Sequence, residues 1–91
     1  MAFGFYFAPE AMSAALYDDV SSKLEEVGQG APAGRLYHFA FEAEGGIAVF
    51  DVWESQESFD AFGETLMPIL AGAGVDPGQP MVSEIHNIIT A

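Results

Sequence analysis

The sequence predicts a single α+β domain in which a four-stranded antiparallel sheet carries two helices, in the order β-α-β-β-α-β. The chain has 91 residues, a length that suits one small domain spanning residues 1–91. One segment places phenylalanine at every second position, as strands do, three more short segments between turns also indicate strands, and two segments repeat apolar residues with helical spacing. Glycine- and proline-containing segments separate these patterns and indicate turns.

The first strand is predicted at residues 2–8, where phenylalanine recurs at every second position and a proline follows. A helix is predicted to begin after the N-cap Ser13 and to extend to about Val27, because Gly28 then favours a helix end. The apolar residues of this helix recur at helical spacing and form one stripe, which consists of Leu16, Tyr17, Val20, Leu24 and Val27.

The second and third strands are predicted at residues 35–42 and 47–53. The segment between them, residues 43–46, reads Ala-Glu-Gly-Gly and predicts a tight hairpin, since glycine adopts positive φ without strain. If these four residues form the loop, Glu42 pairs with Ile47. The two strands are therefore expected to lie side by side and antiparallel.

The second helix is predicted to begin after the N-cap Ser55. Its inner stripe consists of Phe59, Phe62, Leu66 and Leu70. Pro68 lacks an N–H and disfavours helical geometry at the residue before it, so we expect it to kink this helix or break it in two. Residues 81–89 form the predicted fourth strand. With a right-handed crossover, this order is the ferredoxin-like arrangement, with both helices on one face of the sheet.

Both faces of the predicted hairpin are apolar, although two helices cover only one. One face carries Tyr37, Phe39, Phe41, Ala48, Phe50 and Val52. The other carries Leu36, His38, Ala40, Ile47, Val49, Asp51 and Trp53. We expect Phe50 and Val52 to face the helices and the second face to meet a partner sheet or a cavity. Such a second apolar face predicts a homodimer whose two sheets pack face to face.

The charge balance excludes several classes of partner. Fourteen acidic residues stand against two basic ones, and the net charge of −12 repels phosphate backbones and anionic membranes. We therefore expect neither nucleic acid nor a membrane as a partner. We expect ligands to be uncharged or cationic. Without cysteine, thiolate chemistry is excluded, and the histidines show no metal-ligand spacing. The N-terminal residues lack the pattern of a signal peptide, so a cytoplasmic location is expected.

His38 and Asp51 are the candidate catalytic residues. With residues 43–46 as the loop, His38 lies directly opposite Asp51, close enough for a hydrogen bond between imidazole and carboxylate. Such a pair orients the histidine as a general base that removes a proton from a phenol or an activated C–H. Alternatively, the two residues only satisfy each other inside a dimer interface, where Arg35 or main-chain donors help the carboxylate. The candidate ligand-binding residues are Trp53, His86, Tyr37 and Phe5.

The segment Val52-Trp53-Glu54-Ser55, followed by Phe59, resembles the dimeric α+β barrel superfamily, which includes the antibiotic-biosynthesis monooxygenases. The later Leu66-Met67-Pro68-Ile69-Leu70 and His86-Asn87 resemble small bacterial members of uncharacterised activity. The resemblance implies two facing sheets and a ligand cavity between sheet and helices. It also implies that Trp53 matches the tryptophan of cofactor-free quinone-forming and haem-degrading monooxygenases.

Two departures from that pattern limit the implied activities. Haem-degrading members carry an iron-ligating histidine on the helix after this tryptophan, and the chain has Gly63 in that region. The asparagine that these enzymes carry on the first strand is absent from residues 2–8. No cofactor is therefore expected, and haem degradation is the weakest reading, which a haem titration without a Soret shift would remove.

Two function classes stay open on the sequence. The chain is either a cavity-containing binder of a small apolar or aromatic molecule, with monooxygenase-, isomerase- or cyclase-like chemistry, or a non-enzymatic dimerisation module. A hydrophobic cavity of at least a few hundred Å³ that opens beside His38, Asp51 or Trp53 favours the first class, and solid packing there favours the second.

Overall fold

A computed structural model describes residues 2–10 and 12–90 and confirms the α+β fold and the order of its elements. The strands are β1 (Phe3–Phe7), β2 (Arg35–Ala43), β3 (Gly46–Trp53) and β4 (Met81–Glu84). The helices are α1 (Ala14–Glu26) and α2 (Gln56–Gly72). The strands form one antiparallel sheet in the order β2-β3-β1-β4, and both helices pack on the same side of it.

Both helices begin where the sequence predicts. The hydroxyl of Ser13 accepts a hydrogen bond from the Leu16 amide at 3.1 Å, and that of Ser55 accepts one from the Ser58 amide at 3.1 Å. Each side chain thereby satisfies an amide that has no partner inside its helix.

Of the kink or break expected at Pro68, the break into two helices is wrong, because α2 runs without interruption from Gln56 to Gly72. Proline removes the hydrogen bond that would reach back to the carbonyl of Glu64. Glu64, Met67 and Pro68 are all exposed, so water can satisfy that carbonyl. The proline therefore lies on the exposed side of the helix, where a missing hydrogen bond destabilises the helix least.

The fourth strand is shorter than predicted, since β4 ends at Glu84 and residues 85–90 form no regular structure. β4 pairs with β1, whose first residue, Phe3, lies opposite Glu84. One further backbone hydrogen bond joins the Ile85 amide to the Ala2 carbonyl at 2.9 Å.

The hairpin has the predicted register, with Glu42 opposite Ile47, and one more pair joins Ala43 to Gly46. Gly46 has a φ of 147°, and a Cβ there would lie 2.5 Å from the Met12 carbonyl oxygen. The same carbonyl accepts a hydrogen bond from the Ile47 amide at 2.8 Å. Glycine at this position therefore allows the hairpin end to lie directly against the chain that enters α1.

The two faces of the sheet are reversed relative to the prediction. Trp53 and Asp51 lie on the helix side, and Phe5, which pairs with Asp51, stacks on Phe59 of α2 with ring centroids 4.1 Å apart. The expectation that Phe50 and Val52 face the helices is therefore wrong. The phenylalanines of β1 determine which face of the sheet meets the helices. They form the larger apolar cluster with the helices, and they share a face with the odd-numbered residues of β3.

The side of the sheet away from the helices carries an aromatic surface, which we call the outer face: Tyr6, Tyr37, Phe39, Phe41, Phe50 and Met81. Phe39 stacks on Phe50 with centroids 5.4 Å apart and yet is 52% exposed. Tyr37, Phe41 and Met81 of this face are also exposed, so the expected partner sheet would meet the outer face rather than the face of Trp53. Neither helix in the described ranges has the length and apolarity needed to cross a membrane.

Candidate functional site

A cavity of about 220 Å³ lies between the two helices and the helix side of the sheet. Its wall is mainly apolar and includes Phe7, Met12, Val20, Phe62 and Leu70. Three polar side chains on this wall, Tyr17, His38 and Asp51, are joined by hydrogen bonds. An engineered cavity of about 150 Å³ accommodates benzene, so this one has room for one or two aromatic rings. A cavity does lie beside His38 and Asp51, but at about 220 Å³ it is smaller than the few hundred Å³ expected for a ligand site.

His38 and Asp51 lie opposite each other in the β2–β3 ladder, as the hairpin predicts. His38 Nδ1 is hydrogen-bonded to Asp51 Oδ1. The other carboxylate oxygen, Oδ2, accepts a hydrogen bond from Trp53 Nε1 at 3.3 Å. Asp51 is only 5% exposed, and a buried carboxylate needs such donors. Asp51 can therefore lie inside an apolar strand because His38 and Trp53, on the same face of the sheet, form hydrogen bonds with its carboxylate.

Arg35 is not a partner of Asp51, so that expectation is wrong. Its Nη2 donates instead to the Gly30 carbonyl at 2.9 Å, and its guanidinium lies 6.0 Å from the centroid of the Phe62 ring. Arg35 pairs with Trp53 in the ladder, and a register shift separates this pair from the rest of β2. The two donors of Asp51 are therefore His38 and Trp53.

Tyr17 of α1 completes the site, although in the sequence it is visible only as part of the apolar stripe of this helix. Its hydroxyl lies 2.6 Å from His38 Nε2, and the two rings are nearly parallel. A carboxylate only accepts, so Nδ1 of neutral His38 carries the hydrogen and Nε2 accepts from the Tyr17 hydroxyl. One signal was available, because a tyrosine on the inner stripe of a helix needs a hydrogen-bond partner for its hydroxyl.

Four predicted ligand-binding residues are placed elsewhere. Trp53 and Phe5 are both 0% exposed and lie in the core, outside the cavity lining. Tyr37 belongs to the outer face because the faces of the sheet are reversed. His86 is exposed in the segment after β4. Of the predicted site residues, only His38 and Asp51 line the cavity, and Trp53 reaches it indirectly by holding the Asp51 carboxylate.

The described residues contain no group of three or more histidine, aspartate and glutamate side chains close enough to hold a metal ion. Beside the cavity, four polar side chains form a linear series of hydrogen bonds, Tyr17–His38–Asp51–Trp53. We call it the Tyr-His-Asp-Trp chain. Such an arrangement orients an imidazole and stabilises it when it becomes positively charged.

No protein-family model matches the sequence, and no curated protein does so either. Among solved structures, the chain is similar to SnoaB, a cofactor-independent oxygenase from Streptomyces nogalater. The TM-score is 0.61 at 13% sequence identity, over 99% of this chain and 96% of SnoaB. At this identity the likeness shows a shared fold and no more.

Proposed function

We propose that this protein binds a small aromatic molecule with an ionisable hydroxyl in the cavity and removes its proton, so that dioxygen reacts with the resulting anion without a cofactor. The observation that carries this proposal is the Tyr-His-Asp-Trp chain, whose tyrosine and histidine line an apolar cavity. The fold shared with a cofactor-independent oxygenase supports it.

The proton transfer follows from the direction of the hydrogen bonds. The ligand hydroxyl donates to the oxygen of Tyr17 while the hydrogen of Tyr17 moves to His38 Nε2. His38 then carries a positive charge next to the Asp51 carboxylate, which stabilises it, and Trp53 prevents that carboxylate from rotating away. The ligand is left as a phenolate in surroundings that exclude much of the solvent.

The oxygenation step balances with dioxygen as the only oxidant. The electron-rich phenolate gives up electrons to dioxygen, and a carbon–oxygen bond forms to give a peroxide anion on the ring. His38 returns its proton to the peroxide through Tyr17. The peroxide loses water as its O–O bond and one ring C–H bond break, so that one naphthol and one dioxygen give one naphthoquinone and one water.

A non-enzymatic dimerisation module requires neither the cavity nor the Tyr-His-Asp-Trp chain. A carboxylate and a histidine with a purely structural role need only each other, whereas here Tyr17 is hydrogen-bonded to His38 and also lines the cavity. Isomerase- and cyclase-like reactions share the proton abstraction and differ in that they consume no dioxygen. Haem degradation finds no support, because the described part of α2 carries no histidine.

Dioxygen uptake by metal-free, haem-free protein tests the proposal. One- and two-ring phenols, naphthol among them, are supplied, and uptake is followed with an oxygen electrode while the absorbance spectrum records quinone formation. We expect at least one compound to be oxidised with one dioxygen consumed per quinone. Binding followed by isomerisation or cyclisation without uptake would assign the other chemistry, and an absence of binding and turnover across the panel would contradict the proposal.

We further propose that the protein assembles as a homodimer in the cytoplasm through the outer face. Three aromatic side chains of β2 on this face, Tyr37, Phe39 and Phe41, are exposed, and an apolar patch of this kind is a common feature of protein interfaces. A second copy offers the same surface across a two-fold axis, so the two sheets can pack face to face.

Light scattering coupled to size-exclusion chromatography is expected to give about twice the monomer mass of 9.7 kDa. Phe39→Glu places a charge in the middle of the interface and should shift the mass to that of the monomer. Met67→Glu, at an exposed position of α2, adds the same charge elsewhere and should leave the dimer intact. A wild-type monomer at micromolar concentration would refute this assembly.

A further inference from the structure

A register shift in β2 brings Arg35 to the same side of the sheet as His38. Arg35 pairs with Trp53, and Tyr37 pairs with the next residue along β3, Val52, so Leu36 is an extra residue on β2. In a regular strand, residues three positions apart point to opposite faces. The extra residue acts as a β-bulge and brings Arg35 to the same face as His38. Both side chains therefore line the cavity.

Arg35 lines the cavity and forms no salt bridge with a carboxylate among the described residues. One of its N–H groups donates to the Gly30 carbonyl, and its Cζ lies 6.0 Å from the centroid of the Phe62 ring. The Gly30 carbonyl uses only one of the five N–H donors of this side chain, which lines the cavity. The other cationic side chain, Lys23, forms a salt bridge with Asp19 at 3.0 Å on α1.

The cavity also has acidic neighbours, and these do not neutralise Arg35. Asp51 is occupied by His38 and Trp53, and Glu25, at the edge of the cavity, is exposed to solvent. Exposed charges are screened by water and salt, whereas a guanidinium against an apolar wall acts on a bound ligand with less screening. The net charge of the whole chain therefore does not set the charge preference of this cavity.

We propose that Arg35 binds a carboxylate of the ligand, so that the ligand class is a small aromatic hydroxy acid. The hydroxyl would lie at Tyr17 and His38, the rings against the apolar wall, and the carboxylate at the fork of guanidinium donors, which matches its geometry. This inference rests on the proposed function for the position of the hydroxyl, and it replaces the expectation of uncharged or cationic ligands.

Calorimetric titration of the full chain with naphthoate and with neutral naphthamide tests the assignment. The two probes have the same rings and differ in charge. Wild type should bind naphthoate about tenfold or more tightly than naphthamide, and Arg35→Gln should remove that preference, since a charge-assisted bond is roughly twice as strong as a neutral one. Naphthamide affinity should change less than about twofold, because its rings contact the same wall.

Lys23→Gln is the matched control, because it removes the same unit of charge from a position outside the cavity lining. It should leave the naphthoate preference intact, and Arg35→Lys should retain part of it. Thermal unfolding of each variant checks that the fold is preserved. Equal losses in the Arg35 and Lys23 variants, or a wild type that binds naphthoate no better than naphthamide, would overturn the proposal.

These probes carry no hydroxyl, so the titration is independent of the proposed chemistry. A preference for naphthoate that depends on Arg35, in a protein that consumes no dioxygen with any phenol, leaves the anion site standing and removes the oxygenase. Dioxygen uptake with neutral phenols that is unaffected by Arg35→Gln, together with an absent naphthoate preference, removes the anion site and keeps the oxygenase.

Discussion

His38→Gln is expected to lower the rate of dioxygen consumption by about 10²–10⁴-fold, the usual contribution of a general base. Glutamine has a similar length and keeps hydrogen-bonding atoms near Asp51 and Tyr17, but it does not take up a proton under these conditions. Ligand affinity should change little, because the apolar wall of the cavity forms most of the binding surface. The measurement compares kcat and the calorimetric Kd of the variant with those of wild type.

His86→Gln is the matched control for this experiment. His86 is the other histidine of the chain and is exposed after β4, so its replacement should leave kcat unchanged. Tyr17→Phe then separates direct from relayed proton transfer: it should lower kcat if the proton passes through the tyrosine oxygen. A His38→Gln protein with wild-type turnover would show that the pair with Asp51 has only a structural role.

Phe5→Ala is expected to destabilise the protein by about 3–5 kcal/mol, the usual range for truncation of a buried phenylalanine. Phe5 is completely buried and stacks on Phe59, and its neighbour Phe7 packs against the same ring with centroids 5.8 Å apart. Small domains have total stabilities of roughly 5–15 kcal/mol, so this loss removes a large share. Urea unfolding at one fixed protein concentration, monitored by circular dichroism, provides the free energy difference.

Met67→Ala is the comparison, since it truncates a large apolar side chain at an exposed position of α2. Its effect should lie within about 0.5 kcal/mol of wild type, as is usual for surface positions. Phe5→Leu should recover part of the lost stability, because leucine leaves a smaller void. A stable Phe5→Ala protein that no longer binds ligand would instead mean that Phe5 contacts the ligand directly.

Local patterns in the sequence were sufficient for the elements and for one pair of the site. Ser13 and Ser55 could be identified as helix caps because capping depends on residues only a few positions apart. The His38–Asp51 pair could be predicted because a short hairpin with glycine determines which residues of its two strands are opposite. The overall order of strands and helices followed from the same kind of short-range information.

Long-range packing decided what those patterns left open. Both faces of the hairpin are apolar, so its own sequence could not choose between them; the contact of Phe5 with Phe59, distant in the chain, placed Asp51 inside and Phe39 outside. Similarly, Pro68 does not break α2, because the affected carbonyl faces solvent. In each case the outcome depends on what a residue meets across the fold, which periodicity does not encode.

The sequence by itself thus determined the α+β architecture and the proximity of a histidine to a buried aspartate, because both depend on local spacing. Only the tertiary structure showed that Tyr17 contacts His38, because this contact joins a helix to a strand. Only the tertiary structure placed Arg35 in the cavity wall, because its side of the sheet depends on an extra residue in β2. An aspartate inside an apolar strand is stable here because the folded chain supplies two donors that lie on its own side of the sheet.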